Sequence, residues 1–234
     1  MNKNIYIGFD RDGTLEMPGH PVPERLIEHL EALKQMGAKL FLASGKNYEL
    51  LSQIAAEIKL DPWMICAETG GHIVIPSKKI NYVAGAHSDL ATFKEKIHAI
   101  KLPPHGEEPK LSVWSKKFGD HALEAENIIK NFIAENHWNL VVYSYPDGDG
   151  GLDVVPPGID KVNLLEHIPA HATIYYIGDD HNDLGLLAHD RIIPCTVANA
   201  KANIKETVSQ KKGLISSHPA GKGVVDILSQ LFSV

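Results

Sequence analysis

The chain alternates short, wholly apolar runs with longer stretches in which apolar residues recur every three or four positions. Residues 5–9 read as a buried strand, and Leu26, Ile27, Leu30 and Leu33 then repeat at helical spacing until Gly37 stops them. A second strand over 40–43 and a helix through Leu50, Leu51, Ile54 and Ile58 lead to a third strand over 64–67. This rhythm predicts a parallel sheet with helices on its faces. Near Ile73 it changes. "HIVIPSKKINYV" predicts a hairpin turning at 76–79, followed by a helix through Leu90, Phe93, Ile97 and Ile100 and a break at "LPPHGEEP". A strand over 111–114, a helix over 123–132 and a strand over 140–145 come next, with a Gly-rich turn into 152–155. These strands pair through hairpins, which predicts a small α/β layer of its own. After Pro156-Pro157-Gly158 the first rhythm resumes. It gives a helix from near Asp160, strands over 174–177 and 191–194, and a last helix through Val224, Val225, Ile227, Leu228 and Leu231. The fold expected is α/β: a doubly wound, mainly parallel core from residues 1–76 and 157–234, interrupted by an inserted α/β domain over 77–156.

Composition narrows the function classes. The chain has 234 residues, 44% of them hydrophobic and 22% charged, with a net charge of −6. This mild acidity, without a Lys/Arg stripe, argues against nucleic acid as a partner. No run approaches the roughly 18 apolar residues of a membrane span. The first ten residues enter a strand directly, so a cytoplasmic protein is expected. Cys66 and Cys195 each fall in an apolar run, which predicts two free buried thiols. The 13 histidines show no metal-ligand spacing, and Pro169 breaks any helix that would align His167 with His171.

Polar residues gather where strands end, the place at which open α/β sheets bind ligands. Asp10 and Asp12 follow the first strand; residues i and i+2 of a strand share a side, and two like charges there suit a cation. Two solvated acids in a loop serve an isolated Asp-x-Asp equally well. Gly13 would turn backbone amides toward an anion, and Thr14 adds a hydroxyl. Ser44 and Gly45 follow the second strand, where an ordinary helix cap competes with a phosphate site. Lys161 stands early in a helix, disfavoured there unless an anion is near. Asp179, Asp180 and Asp183 crowd the turn after 174–177, more acids than capping needs. Together they suit a hard cation held with phosphate oxygens, Mg2+ being the expected cofactor. A carboxylate there is also a competent nucleophile.

Asp10-x-Asp12-Gly13-Thr14, Ser44, Lys161 and Gly178-Asp179-Asp180-x-Asn182-Asp183, in this order, resemble the four motifs of the haloacid-dehalogenase-like phosphohydrolases. "CAETGGHIV" (66–74) and "TVANAKANIKE" (196–206) extend the resemblance over nearly the whole chain. It implies that Asp10 is the nucleophile and a metal ligand. Asp12 would be the general acid and base, its backbone carbonyl also on the metal. Ser44 and Lys161 would bind phosphoryl oxygens, Asp179 would complete the metal site, Asp183 would be a ligand or its support, and Asn182 would lie near the phosphate. Arg11, Lys46 and Thr69 depart from the commoner residues of the family. The sequence "DRDGT" also occurs in its heptose-bisphosphate branch, whose Cys/His loop this chain lacks.

The insertion resembles the family's C2-type cap, which implies a small phosphorylated metabolite as substrate: phosphoglycolate, a phosphoglycerate-sugar or a sugar phosphate. "YPDGDGGLDV" predicts a hairpin turn, since it lacks the later acids of a calcium loop. That turn, with Trp114, Lys116 and Lys117, would suit a carboxylated substrate if it faced a cleft; the competing expectation is a packed Trp114 and solvated lysines. The function expected is a magnesium-dependent phosphomonoesterase, monomer or homodimer, working through an aspartyl-phosphate. A phosphomannomutase-like phosphotransferase and a non-catalytic phospho-ligand-binding protein are the alternatives.

Overall fold

Residues 5–9 are wholly apolar because they run through the middle of a sheet covered on both faces, where alternation has no use. The computed structural model describes residues 4–145 and 149–232. In chain order its first elements are β1 (Ile5–Phe9), α1 (Glu24–Gln35), β2 (Lys39–Ala43), α2 (Tyr48–Glu57), β3 (Met64–Ala67), β4 (His72–Ile75) and β5 (Ile80–Val83). Then come α3 (Ser88–Lys96), β6 (Gly106–Glu107), β7 (Trp114–Lys117), α4 (Ala122–Glu135), β8 (Val141–Tyr145) and β9 (Gly151–Val155). The last are β10 (Thr173–Ile177), α5 (Leu184–Ala188), β11 (Ile192–Thr196), α6 (Ala202–Gln210), β12 (Leu214–Ile215) and α7 (Ala220–Leu231).

The larger sheet has the order β12-β11-β10-β1-β2-β3-β4-β5. Pairing is parallel from β12 through β3, and β4 turns back antiparallel on β3. The chain starts at β1, winds outward one way through β2 and β3, then returns to pair β10 on the other flank of β1. This reversal makes the β1/β10 boundary the switch point at which loops diverge and leave a crevice. On one face, Ile7, Phe9, Leu40, Leu42 and Ile177 pack with Leu26, Leu30 and Leu33 of α1 and with Val224, Ile227 and Leu228 of α7. On the other, Tyr6, Phe41, Ile174 and Tyr176 pack with Leu186, Leu187, Ile204 and Val208.

Contacts divide the chain into one unit of Met1–Tyr82 with Asp160–Val234 and another of Val83–Ile159. The second has its own antiparallel sheet, β6-β7-β9-β8, and its own core, in which Phe93 meets the Trp114 ring edge-on at 5.4 Å between centroids. The architecture is therefore the mainly parallel α/β core with a separate insert sheet that the rhythm of the chain predicts.

Several local expectations need correction. The strand predicted over 111–114 lies at Trp114–Lys117, because pairing with β9 begins only at Trp114↔Val154 and Leu111 is exposed. The stretch expected to be only a break contributes β6, which pairs Gly106 with Lys117 and Glu107 with Lys116. The helix expected from Asp160 is a 3-10 helix, Lys161–His167, capped by the Asp160 side chain on the amide of Val162. Of the two expectations for Trp114 the packed one holds, since it lies in the insert core. Lys116 and Lys117 pair with Glu107 and Asp149. The tip of the turn expected within 145–154, at 146–148, lies outside the described residues.

Candidate active site

Asp10 follows the last residue of β1, and its amide still donates to the carbonyl of Ile177 in β10 (2.9 Å). This bond ties the residue to the switch point. The strand ends at Phe9, however, so the strand-side argument for Asp10 and Asp12 fails. The Asp10 side chain is buried, whereas that of Asp12 is 52% exposed and pairs with Arg11, with the Lys46 Nζ 3.9 Å away.

Beyond Asp10 the chain turns on Gly13, whose φ is +80°. A Cβ at Gly13 would lie 2.0 Å from an oxygen of Asp179, so only glycine lets this loop close against the loop after β10. The sequence predicts amides here turned toward an anion, but those of Gly13 and Thr14 are otherwise engaged. They close the turn on the carbonyls of Glu16 (2.8 Å) and Arg11 (3.3 Å). The Thr14 hydroxyl donates to Asp179 Oδ1 at 2.7 Å, holding a carboxylate rather than a phosphate. Asn199 lies in the quoted 196–206 stretch, where the sequence assigns it no task. Its side chain donates to the Gly13 carbonyl (2.8 Å) and accepts from the amide of Ala220 (2.8 Å), pinning the same turn to the start of α7.

Three carboxylates, those of Asp10, Asp179 and Asp183, converge with oxygens within 4.8 Å of one another, all buried. Between two of them sits the ammonium of Lys161, 2.9 Å from Asp10 Oδ1 and 2.6 Å from Asp183 Oδ1, its side chain fully buried. Asn182 Oδ1 accepts from the same ammonium at 3.3 Å. Asp183 has both oxygens engaged. Oδ1 takes Lys161 and the Tyr176 hydroxyl (2.6 Å), and Oδ2 takes the amides of Asp179 (3.0 Å) and Asp180 (3.1 Å). Tyr176 is a second residue that the motifs do not reveal, hidden in an apolar strand with its polar tip at the site.

The sequence left open whether Ser44 caps the following helix. It does not: Asn47 caps α2, accepting from the amide of Leu50 at 2.9 Å. Ser44 is buried directly after the last residue of β2, its amide donating to the carbonyl of Cys66 (2.9 Å). Gly45 continues that turn.

Electrostatics follow from burying three acids around one base. Burial lifts the Asp10 carboxyl to about 7, Lys161 opposing it and Asp183 adding to it. Burial, with the charges of Asp10 and Asp183, lifts Asp179 to about 8. Burial alone would pull Lys161 down, but Asp10 and Asp183 overcome it and hold the group above its ordinary value, a firm cation. Cys66, in β3, is pushed up to about 12 by burial and stays a thiol. Convergent carboxylate oxygens that resist ionising together fit a hard divalent cation, which would remove their mutual repulsion. The donor set is all oxygen, which excludes the sites preferred by soft metals.

The chain matches the family described as haloacid dehalogenase-like hydrolase over residues 7–102 and 105–228. A Haemophilus influenzae protein named "Putative phosphatase" is 34% identical over 64 residues, 27% of this chain and 24% of its own length. The match thus spans about a quarter of that relative. Among solved structures, Thermoplasma acidophilum 0175 superposes with a TM-score of 0.76 at 17% identity, covering 98% of this chain and 96% of that one. The sucrose-phosphatase from Synechocystis, solved with sucrose and phosphate, gives 0.68 at 16% identity and covers 97% of both chains. At these identities the superpositions speak for the fold. Among the described residues, no helix is long and apolar enough to cross a membrane.

Proposed function

We propose, from the premise that this chain belongs to the haloacid dehalogenase-like hydrolases, that it is a magnesium-dependent phosphomonoesterase acting on a small phosphorylated metabolite. The observation that carries the reading is the buried Asp10, Asp179 and Asp183 group around Lys161 at the switch point of the sheet. Asp10 and Asp179 would hold the cation, with Asp183 joining them or fixing their positions through its four bonds. When bound, Mg2+ supplies positive charge against the phosphoryl oxygens.

The chain's own residues divide the remaining work. Lys161 orients the Asp10 carboxylate for in-line attack and offers its ammonium to the phosphoryl group, aided by the Ser44 hydroxyl. An Asp10 oxygen bonds to phosphorus as the ester P–O bond breaks, and the departing oxygen takes a proton from Asp12. Asp12 then takes a proton from water, whose oxygen bonds to phosphorus as the Asp10 O–P bond breaks, so that phosphate leaves and the Asp10 carboxylate is restored. For this the Asp12 side chain must exchange Arg11 for the leaving oxygen, a rotamer change open to an exposed group. Asn182, held by Lys161, would lie beside the phosphate.

Sugar phosphates head the substrate classes to test, because the Synechocystis relative of the same fold is a sucrose-phosphatase; phosphoglycolate and phosphoglycerate-sugars follow. The test is a panel of such esters ranked by kcat/KM with Mg2+ and with chelator. Phosphate released to water in the Mg2+ arm supports the reading. Transfer between positions of a hexose would make the protein a phosphotransferase. Binding without turnover across the panel would make it a phospho-ligand-binding protein.

A further inference from the structure

Glu68, Thr69 and Gly70 follow β3 with φ of +52°, +57° and +97°, three successive residues in left-handed backbone. Glycine adopts that conformation freely and Asn tolerates it, but a β-branched threonine does so only under constraint. Glu68 and Thr69 are each 1% exposed, and the Thr69 hydroxyl is buried with no hydrogen-bond partner. Strain at one residue persists when its surroundings over-determine it.

The surroundings are the two elements that carry Ser44 and Lys161. On one flank the amide of Glu68 donates to the Lys46 carbonyl (2.9 Å) and that of Thr69 to the Ser44 carbonyl (3.1 Å). On the other flank, a Cβ at Gly70 would lie 2.0 Å from the Asp160 carbonyl oxygen and 3.1 Å from the Lys161 amide. Two neighbouring amides thus face the Ser44 turn while a bare Cα meets the backbone that launches Lys161. Right-handed or extended backbone at Thr69 would break one of these contacts.

We propose that the Glu68-Thr69-Gly70 turn is a spacer that fixes Ser44 relative to Lys161, with Thr69 as a positioning residue for phosphoryl binding. Its stiff, buried side chain holds the backbone by shape, since its hydroxyl bonds to nothing. The proposal rests on the phosphatase reading for the roles of Ser44 and Lys161.

Thr69→Gly keeps the left-handed region accessible but frees the backbone, whereas Thr69→Asn keeps it populated. Both variants, as full chains, are compared with the native protein in thermal melting, in calorimetric binding of inorganic phosphate with Mg2+, and in steady-state hydrolysis of a phosphate ester. The glycine variant should bind phosphate about fivefold more weakly and lose more in kcat than in KM, melting within a few degrees of the native protein. The asparagine variant should stay within about twofold in both. Phosphate affinity unchanged in the glycine variant, or lost equally in both variants, overturns the proposal. If the glycine variant fails to fold, Thr69→Ala takes its place and is read against Thr69→Asn by the same criteria. A native protein that binds phosphate but hydrolyses no ester overturns the phosphatase reading instead, and the affinities still judge the spacer. One that binds no phosphate overturns both.

Discussion

Chelating divalent cations and raising the pH from about 5 to about 8 should progressively destabilise the core. Asp10 and Asp179 titrate near 3.8 when unfolded but at about 7 and about 8 when folded. Between these limits the folded state binds more protons than the unfolded one, so by linkage its stability falls as pH rises and levels off above about 8. Every tenfold displacement of a proton equilibrium is worth about 1.4 kcal/mol, which makes the Asp10 contribution alone roughly 4 kcal/mol over its full displacement, roughly 3 kcal/mol of it between about pH 5 and 8. The two acids repel each other, so their contributions are shared and do not simply add. Urea unfolding at several pH values, with chelator and then with MgCl2, measures the effect. A ligand that binds only the folded state at 100 times its Kd adds about 2.7 kcal/mol, and here the gain should grow with pH because the acids must first lose their protons. Asp179→Asn removes one acid and should flatten the profile. Chelated protein whose stability is flat or rising over this range, or a Mg2+ gain as large at the acid end as at the alkaline end, would refute the electrostatic account.

Other perturbations test separate parts of the site and insert. Asp10→Asn should abolish phosphate release while leaving a folded protein, and turnover near the native rate would contradict the proposal that it is the nucleophile. Tyr176→Phe removes a hydroxyl that meets Asp183, Lys161 and the Ala43 carbonyl, and should cost about 1–3 kcal/mol in urea unfolding; an unchanged midpoint would show that it anchors nothing. In the insert, Lys110 lies 2.6 Å from Asp153 and 3.5 Å from Glu108, all buried, and burial already holds Asp153 above its ordinary range. Lys110→Met should therefore destabilise Val83–Ile159 by about 3–5 kcal/mol, read by hydrogen exchange confined to that unit. Unchanged protection there would contradict the assignment.

What could be read from the sequence was what the sheet makes continuous. Strands β1 and β3 coincide with the apolar runs 5–9 and 64–67, because strands buried on both faces have no polar positions and end where polar residues begin. The insert was less legible. Its sheet includes a two-residue strand, and its buried Lys110 pairs with a residue 43 positions away, a contact no local pattern announces. Tyr176 escaped for a different reason: it looks like ordinary core in its stretch and matters through a polar tip that only tertiary contact specifies. Thr69 stood out in the sequence only as a departure from the family, and its left-handed backbone is legible only in the fold.

The acidic turn after β10 shows how counting side chains misleads until their local duties are subtracted. Asp180 and Asp183 form a reciprocal capping box on the short helix His181–Asp183, so two of the three acids there have a structural task before any ion arrives. Asp12, a further acid of the motifs, points toward solvent and Arg11. Asp179 and Asp10 are the carboxylates left without a cap to make, and they are the two whose protons burial holds near neutral pH. With all three buried acids ionised against one ammonium, the cluster carries two negative charges. A single divalent ion would neutralise these without drawing on the exposed Asp12, the proposed acid and base. A monovalent cation would leave one charge uncompensated in a dry site, so K+ in place of Mg2+ should leave the pH-dependent loss of stability largely uncorrected.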